Sequence, residues 1–142
     1  MLERNGETVS VAESLTAGGL ANALTSTSGS SSVFLGGITA YRNEFKQHML
    51  GVDPKLIEEH TVVSEEVANA MGDGANKTFG STWAIATTGA AGPAPLEGHA
   101  PGSVWIAIRG PINQAIALNL EDRKSTRLNS SHVALSRMPS SA

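Results

Sequence analysis

Apolar positions along the chain follow two periods, and their alternation sketches a fold. Val9, Val11 and Ala12 form a short β-prone run within Thr8–Glu13 and predict a buried first strand. Leu20, Ala23 and Leu24 then recur at helical spacing, with Thr16 placed to act as N-cap. The Ser/Gly stretch Ser26–Ser32 stops that helix. Val33–Tyr41 predicts a second strand, or a short helical turn followed by a strand from Gly37. The pair Gly36-Gly37 marks either a bend or a place where another backbone or a ligand comes close.

Helical spacing dominates the next stretch. Asn43 is expected to cap a short helix through Leu50, with Phe45, Met49 and Leu50 on its apolar side and Gly51 closing it. Asp53-Pro54 opens another, with proline at a favoured first-turn position, carrying Leu56 and Ile57 and ending near His60. Ser64-Glu65-Glu66 starts a third, with a capping hydroxyl and two carboxylates near the positive end of the helix dipole. Its apolar face is Val67, Ala68, Met71, Ala75 and Phe79. Gly72 and Gly74 should weaken it by about 1 kcal/mol each relative to alanine.

Strand patterns return with Thr82–Thr87 and Ser103–Arg109, separated by a Gly/Pro-rich loop from Thr88 to Gly102. Gly110-Pro111 turns the chain into Ile112–Leu120, an alternating run expected to close an antiparallel hairpin. Helices interleave with the earlier strands and a hairpin ends the pattern. The expected fold is α/β, a three-layer α/β/α sandwich around a mixed sheet.

Composition narrows the function. A chain of 142 residues is one domain's length, and its 40% hydrophobic content suits a single core. Net charge −3 argues against a nucleic-acid partner, whose phosphates favour a basic face. No apolar run approaches the roughly 20 residues that span a bilayer, so no membrane partner is expected and cytoplasm is the default location. The absence of cysteine removes disulfides, thiolate zinc sites and a thiol nucleophile.

The segment Asp122–Ala142 changes character abruptly, being basic, serine-rich and without sustained period. Asp122–His132 is the in-frame translation of a common sequencing-library adapter, and Val133–Ala142 continues through an index into the adapter's remainder. The natural domain is therefore expected to be residues 1–121, with the genomic reading frame interrupted there. The segment carries four basic residues against one acid, so without it the net charge falls from −3 to −6.

Candidate chemistry centres on Ser14, which ends the first strand where a small-residue turn opens a helix. That position presents a hydroxyl beside helix amides, although most serines there simply cap. Tyr41 stands at a strand end, five residues before Lys46. A lysine in a helix's first turn opposes the dipole, and partial burial would lower its pKa toward that of a base. The plainer readings are a half-buried ring and a solvated lysine. Thr87–Pro93 (TTGAAGP) follows a strand, the usual place for ligand loops, and its small residues let backbone N–H groups approach an anion. His48, His60, His99 and His132 have no metal-ligand spacing, so no metal is expected, and Trp83 and Trp105 read as core.

Together, AESLTAG (Ala12–Gly18), FLGGITAYRNEFKQHMLGVD (Phe34–Asp53), VVSEEVA (Val62–Ala68), TTGAAGP (Thr87–Pro93) and PGSVWIAI (Pro101–Ile108) resemble the C-terminal domain of the competence/damage-inducible protein CinA, the nicotinamide-mononucleotide deamidase family. The resemblance covers about Val9 to Leu120. It implies a three-layer α/β/α fold and hydrolysis of the nicotinamide carboxamide of nicotinamide mononucleotide (NMN) to nicotinate mononucleotide and ammonia. It implies a catalytic set of Ser14 as nucleophile, Lys46 as base and Tyr41 assisting, with no cofactor and no metal. Glu13, Thr16, Gly18, Gly37, Asn43, Thr88, Gly89 and Gly92 are the expected substrate-binding positions, with amides near Thr16–Gly18 or Thr88-Gly89 holding an oxyanion or the phosphate. The intact family member is expected to be a homo-oligomer.

Departures from the family are local. Leu15 and Ala17 stand where the more familiar string has cysteine and glycine, and Arg123 sits near a family arginine but within the adapter-like segment. The family's last helix and most of its first are missing, as is the pyrophosphatase-type domain of longer members, so some sheet surface is expected to lie bare. Two other readings remain: a non-catalytic nucleotide-binding or oligomerisation module, and a serine amidase for a different small amide.

Overall fold

A computed structural model of the chain describes residues 1–120. The expectations for the adapter-like segment, Arg123 and His132 included, lie outside the described residues. Five strands make one sheet: β1 (Val9–Glu13), β2 (Phe34–Thr39), β3 (Trp83–Gly89), β4 (Ser103–Arg109) and β5 (Gln114–Asn119). Their order is β2-β1-β3-β4-β5, with β1 parallel to both neighbours and β4 and β5 antiparallel. Four helices connect them: α1 (Gly19–Thr25), α2 (Asn43–Leu50), α3 (Pro54–His60) and α4 (Glu65–Phe79). The mixed sheet with helices on both faces is the expected α/β/α arrangement. Among the described residues no helix is long and apolar enough to cross a membrane.

Strand alternation sorts side chains by size. Val9, Val11, Trp83, Ile85 and Ile108 point to one face, where Leu20, Ala21 and Leu24 of α1 cover them. Ala12, Ala84, Ala86 and Ala107 point to the other, against Val67, Ala68, Met71 and Ala75 of α4. With alanine methyls at these four sheet positions, α4 lies close to the strands. Its glycines follow from two close approaches, Gly72 to the strands and Gly74 to the end of α2. A Cβ on Gly72 would meet Arg109 Cγ at 2.6 Å, and one on Gly74 would strike the Leu50 carbonyl. Arg109 uses the space beside Gly72 to reach Asp73, with Nε–Oδ1 at 2.8 Å.

Helix starts match the sequence in two of four cases. Asp53 accepts from Lys55 N at 2.9 Å and Ser64 from Val67 N at 3.2 Å, as their caps require. Thr16 does not cap α1, whose N-cap is Gly18 at φ 99. Asn43 does not cap α2 either; Arg42 holds that position in extended backbone and Asn43 is the first helical residue. A 3-10 turn at Ser30–Ser32 precedes β2, which begins at Phe34 rather than Gly37. β5 starts at Gln114, two residues later than expected, because Asn113 Oδ1 accepts from Gly110 N at 3.0 Å and draws Ile112 into the turn.

This topology puts a crevice where chemistry can be placed. The β1-to-β2 connection runs through α1 on one face, and the β2-to-β3 connection through α2–α4 on the other. The carboxyl end of β1 therefore lies at the point where strand order reverses, the usual ligand position of open α/β sheets.

Gly74→Ala tests the close approach of α4. Helix propensity alone would stabilise the variant by about 1 kcal/mol. The collision with Leu50 should instead destabilise it by roughly 1–3 kcal/mol, read as a lower midpoint in urea unfolding. A raised midpoint would reject the packing account.

Candidate active site

Ser14 follows directly on β1, and its N–H donates to Thr87 O at 3.1 Å, extending the strand ladder by one residue. Ala17 N then donates back to Ser14 O at 3.1 Å, closing a turn. Ala17 at φ 48 and Gly18 at φ 99 are both left-handed. Alanine in that conformation costs about 1–2 kcal/mol, which glycine would avoid. The turn folds the start of α1 back onto β1. Leu20 N and Ala21 N donate to the two carboxylate oxygens of Glu13 at 2.7 and 3.1 Å. Thr16 Oγ1 adds a third bond to Glu13 Oε1 at 2.6 Å and sits 2.8 Å from Thr87 Oγ1. The amides opening α1 are thereby committed to Glu13. Ser14 itself is 6% exposed, and among the described residues its hydroxyl makes no hydrogen bond.

Lys46 approaches from α2. It lies in the first helical turn, is 1% exposed, and extends back toward the helix start. Its Nζ donates to Ala40 O at 2.9 Å and Tyr41 O at 3.1 Å. Burial pushes the ammonium down from 10.5 to about 8, against a raising pull from the Glu97 carboxylate. About a tenth of the molecules would then carry a neutral amine at pH 7, some hundreds of times more than for an ordinary lysine. Tyr41 precedes α2 with its ring 62% exposed.

A loop after β3 supplies the facing wall. Leu96 and His99 pair in a tight hairpin whose central residues, Glu97 at φ 49 and Gly98 at φ 82, are left-handed. Glu97 Oε2 accepts from Val62 N at 2.8 Å, and His99 Nε2 lies 2.8 Å from Thr61 Oγ1. Thr61, between α3 and α4, has φ 65, an uncommon conformation for a β-branched residue.

Ser14, Leu15, Tyr41, Arg42, Asn43, Glu44, Lys46, Val62, Gly89, Ala91, Gly92 and Pro93 through Leu96 line one open cleft of about 830 Å³. That volume suits a small-molecule ligand, for which ~300–1,000 Å³ is typical. Arg42 and Glu44 pair at its rim, with Nε–Oε1 at 2.9 Å. Among the described residues no three His, Asp or Glu side chains gather in a set that could hold a metal ion.

The CinA C-terminal domain family model matches residues 1–141. The chain belongs to the CinA C-terminal domain family. It is 46% identical over 126 residues to a CinA-like protein of Parasynechococcus marenigrum (87% of this chain, 30% of that protein). It is 44% identical over 108 residues to a putative competence-damage inducible protein of Pediococcus pentosaceus (76% and 26%). The chain thus spans under a third of the length of these curated relatives. Among solved structures it is similar to the competence/damage-inducible protein CihA of Agrobacterium tumefaciens, with TM-score 0.83 and 33% identity over 95% of this chain and 85% of that one. It also resembles a CinA superfamily protein of Klebsiella pneumoniae, with TM-score 0.86 and 26% identity over 96% and 88%.

Within this CinA domain the expected site residues divide. Ser14, Tyr41, Lys46, Asn43, Gly89 and Gly92 share the cleft. No side-chain-to-side-chain hydrogen bond joins Ser14, Tyr41 and Lys46 among the described residues; the lysine bonds to the tyrosine's backbone carbonyl, not its hydroxyl. Glu13, Thr16, Gly18, Gly37 and Thr88 stand apart from the cleft lining. Glu13 is buried and takes up the hydroxyl of the exposed Thr16, and Thr88 Oγ1 donates to Val62 O at 2.9 Å. A Cβ on Gly37 would collide with Val11, so that glycine answers to strand packing. Sequence reading passed over Arg42 and Glu44, although they flank Asn43 between two recognised positions. Val62 belongs to the recognised VVSEEVA string but was not singled out as a site residue, and Glu97 carried no sequence signal, since its position depends on how the loop folds back.

The lowered Lys46 pKa makes stability depend on pH. Between about 8 and 10.5 the unfolded chain keeps a proton at this residue that the folded chain has lost, so stability rises with pH across that window. Below it both states are protonated and the full burial penalty remains. Relative to Lys46→Met, the wild type should gain on the order of 3 kcal/mol from pH 7.5 to 10.5 in paired urea titrations. A constant difference would place Lys46 at an ordinary pKa.

Proposed function

We propose that the domain hydrolyses the carboxamide of NMN to nicotinate mononucleotide and ammonia, a step in pyridine-nucleotide salvage. One observation carries the reading: a serine hydroxyl without a partner among the described residues and a buried lysine with a lowered pKa line the same cleft at the sheet's switch point. A base with a pKa near the working pH is what a serine nucleophile requires.

In this mechanism Ser14 Oγ attacks the carboxamide carbon while neutral Lys46 Nζ takes the hydroxyl proton. The tetrahedral adduct collapses, its C–N bond breaks, and the nitrogen leaves as ammonia with the proton returned from Lys46. Water then attacks the acyl-serine ester, with Lys46 as base again, and releases the carboxylate and Ser14. The Ala40 and Tyr41 carbonyls fix Nζ in place, so Tyr41 contributes through its backbone and through a ring at the cleft mouth. The Leu20 and Ala21 amides are spoken for, as is that of Ala90, which leaves the cleft-lining backbone at Leu15 and at Ala91-Gly92 to meet the substrate. The competing reading, a non-catalytic nucleotide-binding module, is favoured by the missing hydrogen bonds among the three side chains. Catalytic contacts of that kind commonly tighten only with substrate present.

Incubation with NMN, followed by measurement of ammonia and nicotinate mononucleotide, decides between them. Ser14→Ala and Lys46→Met should each lower kcat by roughly 10³-fold or more, and Tyr41→Phe by no more than about tenfold. Binding of NMN without turnover, unchanged in Ser14→Ala, would establish the binding module. Turnover of another small amide in place of NMN would keep the chemistry and move the substrate.

A further inference from the structure

The loop wall of the cleft is held by one acidic side chain that does not itself line the cleft. Glu97 sits at the tip of the Leu96–His99 hairpin in left-handed backbone, a conformation that persists only where surrounding contacts enforce it. Its carboxylate accepts the N–H of Val62, a cleft residue, and Val62's carbonyl accepts from Thr88. His99 fastens the other side of the hairpin to Thr61. The segment Ala91–Leu96, which forms the wall, is therefore tethered at its far end to the α3–α4 junction.

We propose that Glu97 is a positioning residue of the site: it latches the Ala91–Leu96 wall through Val62 and sets a negative charge toward the ammonium of Lys46. The charged and titratable groups that share the cleft with Lys46 are Tyr41, Arg42 and Glu44; behind its loop wall stand Glu97, bonded to the cleft residue Val62, and His99, bonded to Thr61. Arg42 and Glu44 largely cancel in their own pair. Glu97 is the charge that registers at Lys46, where it opposes the effect of burial. The residue thus has two separable actions, one mechanical and one electrostatic. Its electrostatic action favours the protonated lysine and restrains the base.

Glu97→Gln keeps an oxygen for Val62 N–H and removes the charge. Glu97→Asp keeps the charge and shortens the reach. Lys46 titration is read by NMR of protein carrying carbon-13 at lysine Cε, which needs no turnover. In Glu97→Gln the midpoint should fall below about 8 and the neutral fraction at pH 7 rise roughly three- to fivefold, with little change in KM. In Glu97→Asp the midpoint should stay near the wild-type value, while KM rises several-fold as the wall loosens. The catalytic half, a matching shift in the acidic limb of kcat/KM, rests on the amidase reading; the NMR half does not. An absence of NMN turnover would therefore remove that reading and leave the Lys46 titration to decide this one. Identical Lys46 titrations in wild type and Glu97→Gln would overturn the proposal.

Discussion

Leu20 N, Ala21 N and Thr16 Oγ1 all donate to the carboxylate of Glu13, and this closed set holds the turn on which Ser14 sits. A carboxylate taken out of water without partners loses several kcal/mol, so its burial is sustained only while those donors stay in place. The dependence runs both ways. α1 has seven residues, far too few to persist alone, and its amide end is satisfied by a side chain from the neighbouring strand. Helix, turn and strand end are consequently one unit, with the serine hydroxyl as the part left over for other work.

Lys46 is the counterpart across the cleft. Two buried ionisable groups of opposite sign flank Ser14, yet among the described residues they form no ion pair. Each is instead occupied by backbone: helix amides for the acid, strand-end carbonyls for the base. Pairing them directly would have stabilised both charges and raised the lysine's pKa. Keeping them apart leaves the lysine destabilised in its charged form, which is the condition a proton acceptor needs.

Much of this was legible from residue order. Every strand and α-helix among the described residues was anticipated, because β-prone runs and helical spacing were separated by clear Gly, Ser and Pro breaks; the 3-10 turn at Ser30–Ser32 was not. Caps were legible where a short polar side chain reaches its own helix, as at Asp53 and Ser64, and illegible where the partner is remote. Thr16 looked like a cap by position, but Glu13 outcompetes it with two oxygens and a full charge. Gly72 and Gly74 looked like weaknesses of α4, since propensity says nothing about a neighbouring carbonyl in the way. Ser14, Tyr41 and Lys46 stood out because each follows or precedes an element boundary, and the fold brings all three to one cleft. Glu97 was not, because nothing local distinguishes an acid in a Gly/Pro-rich loop from any surface residue.

The parallel pairing of β1 with β3 also bears on how the cleft comes into being. Val9 pairs with Trp83 and Glu13 with Thr87, contacts more than seventy residues apart along the chain. Such pairings form late, since a long loop must close before they contribute. During synthesis the ribosome delivers Ser14 and Lys46 well before the strand that anchors Ser14's own amide. Ser14 and Lys46 are thus made early and brought together last, so a half-folded chain carries both side chains without the cleft that they share.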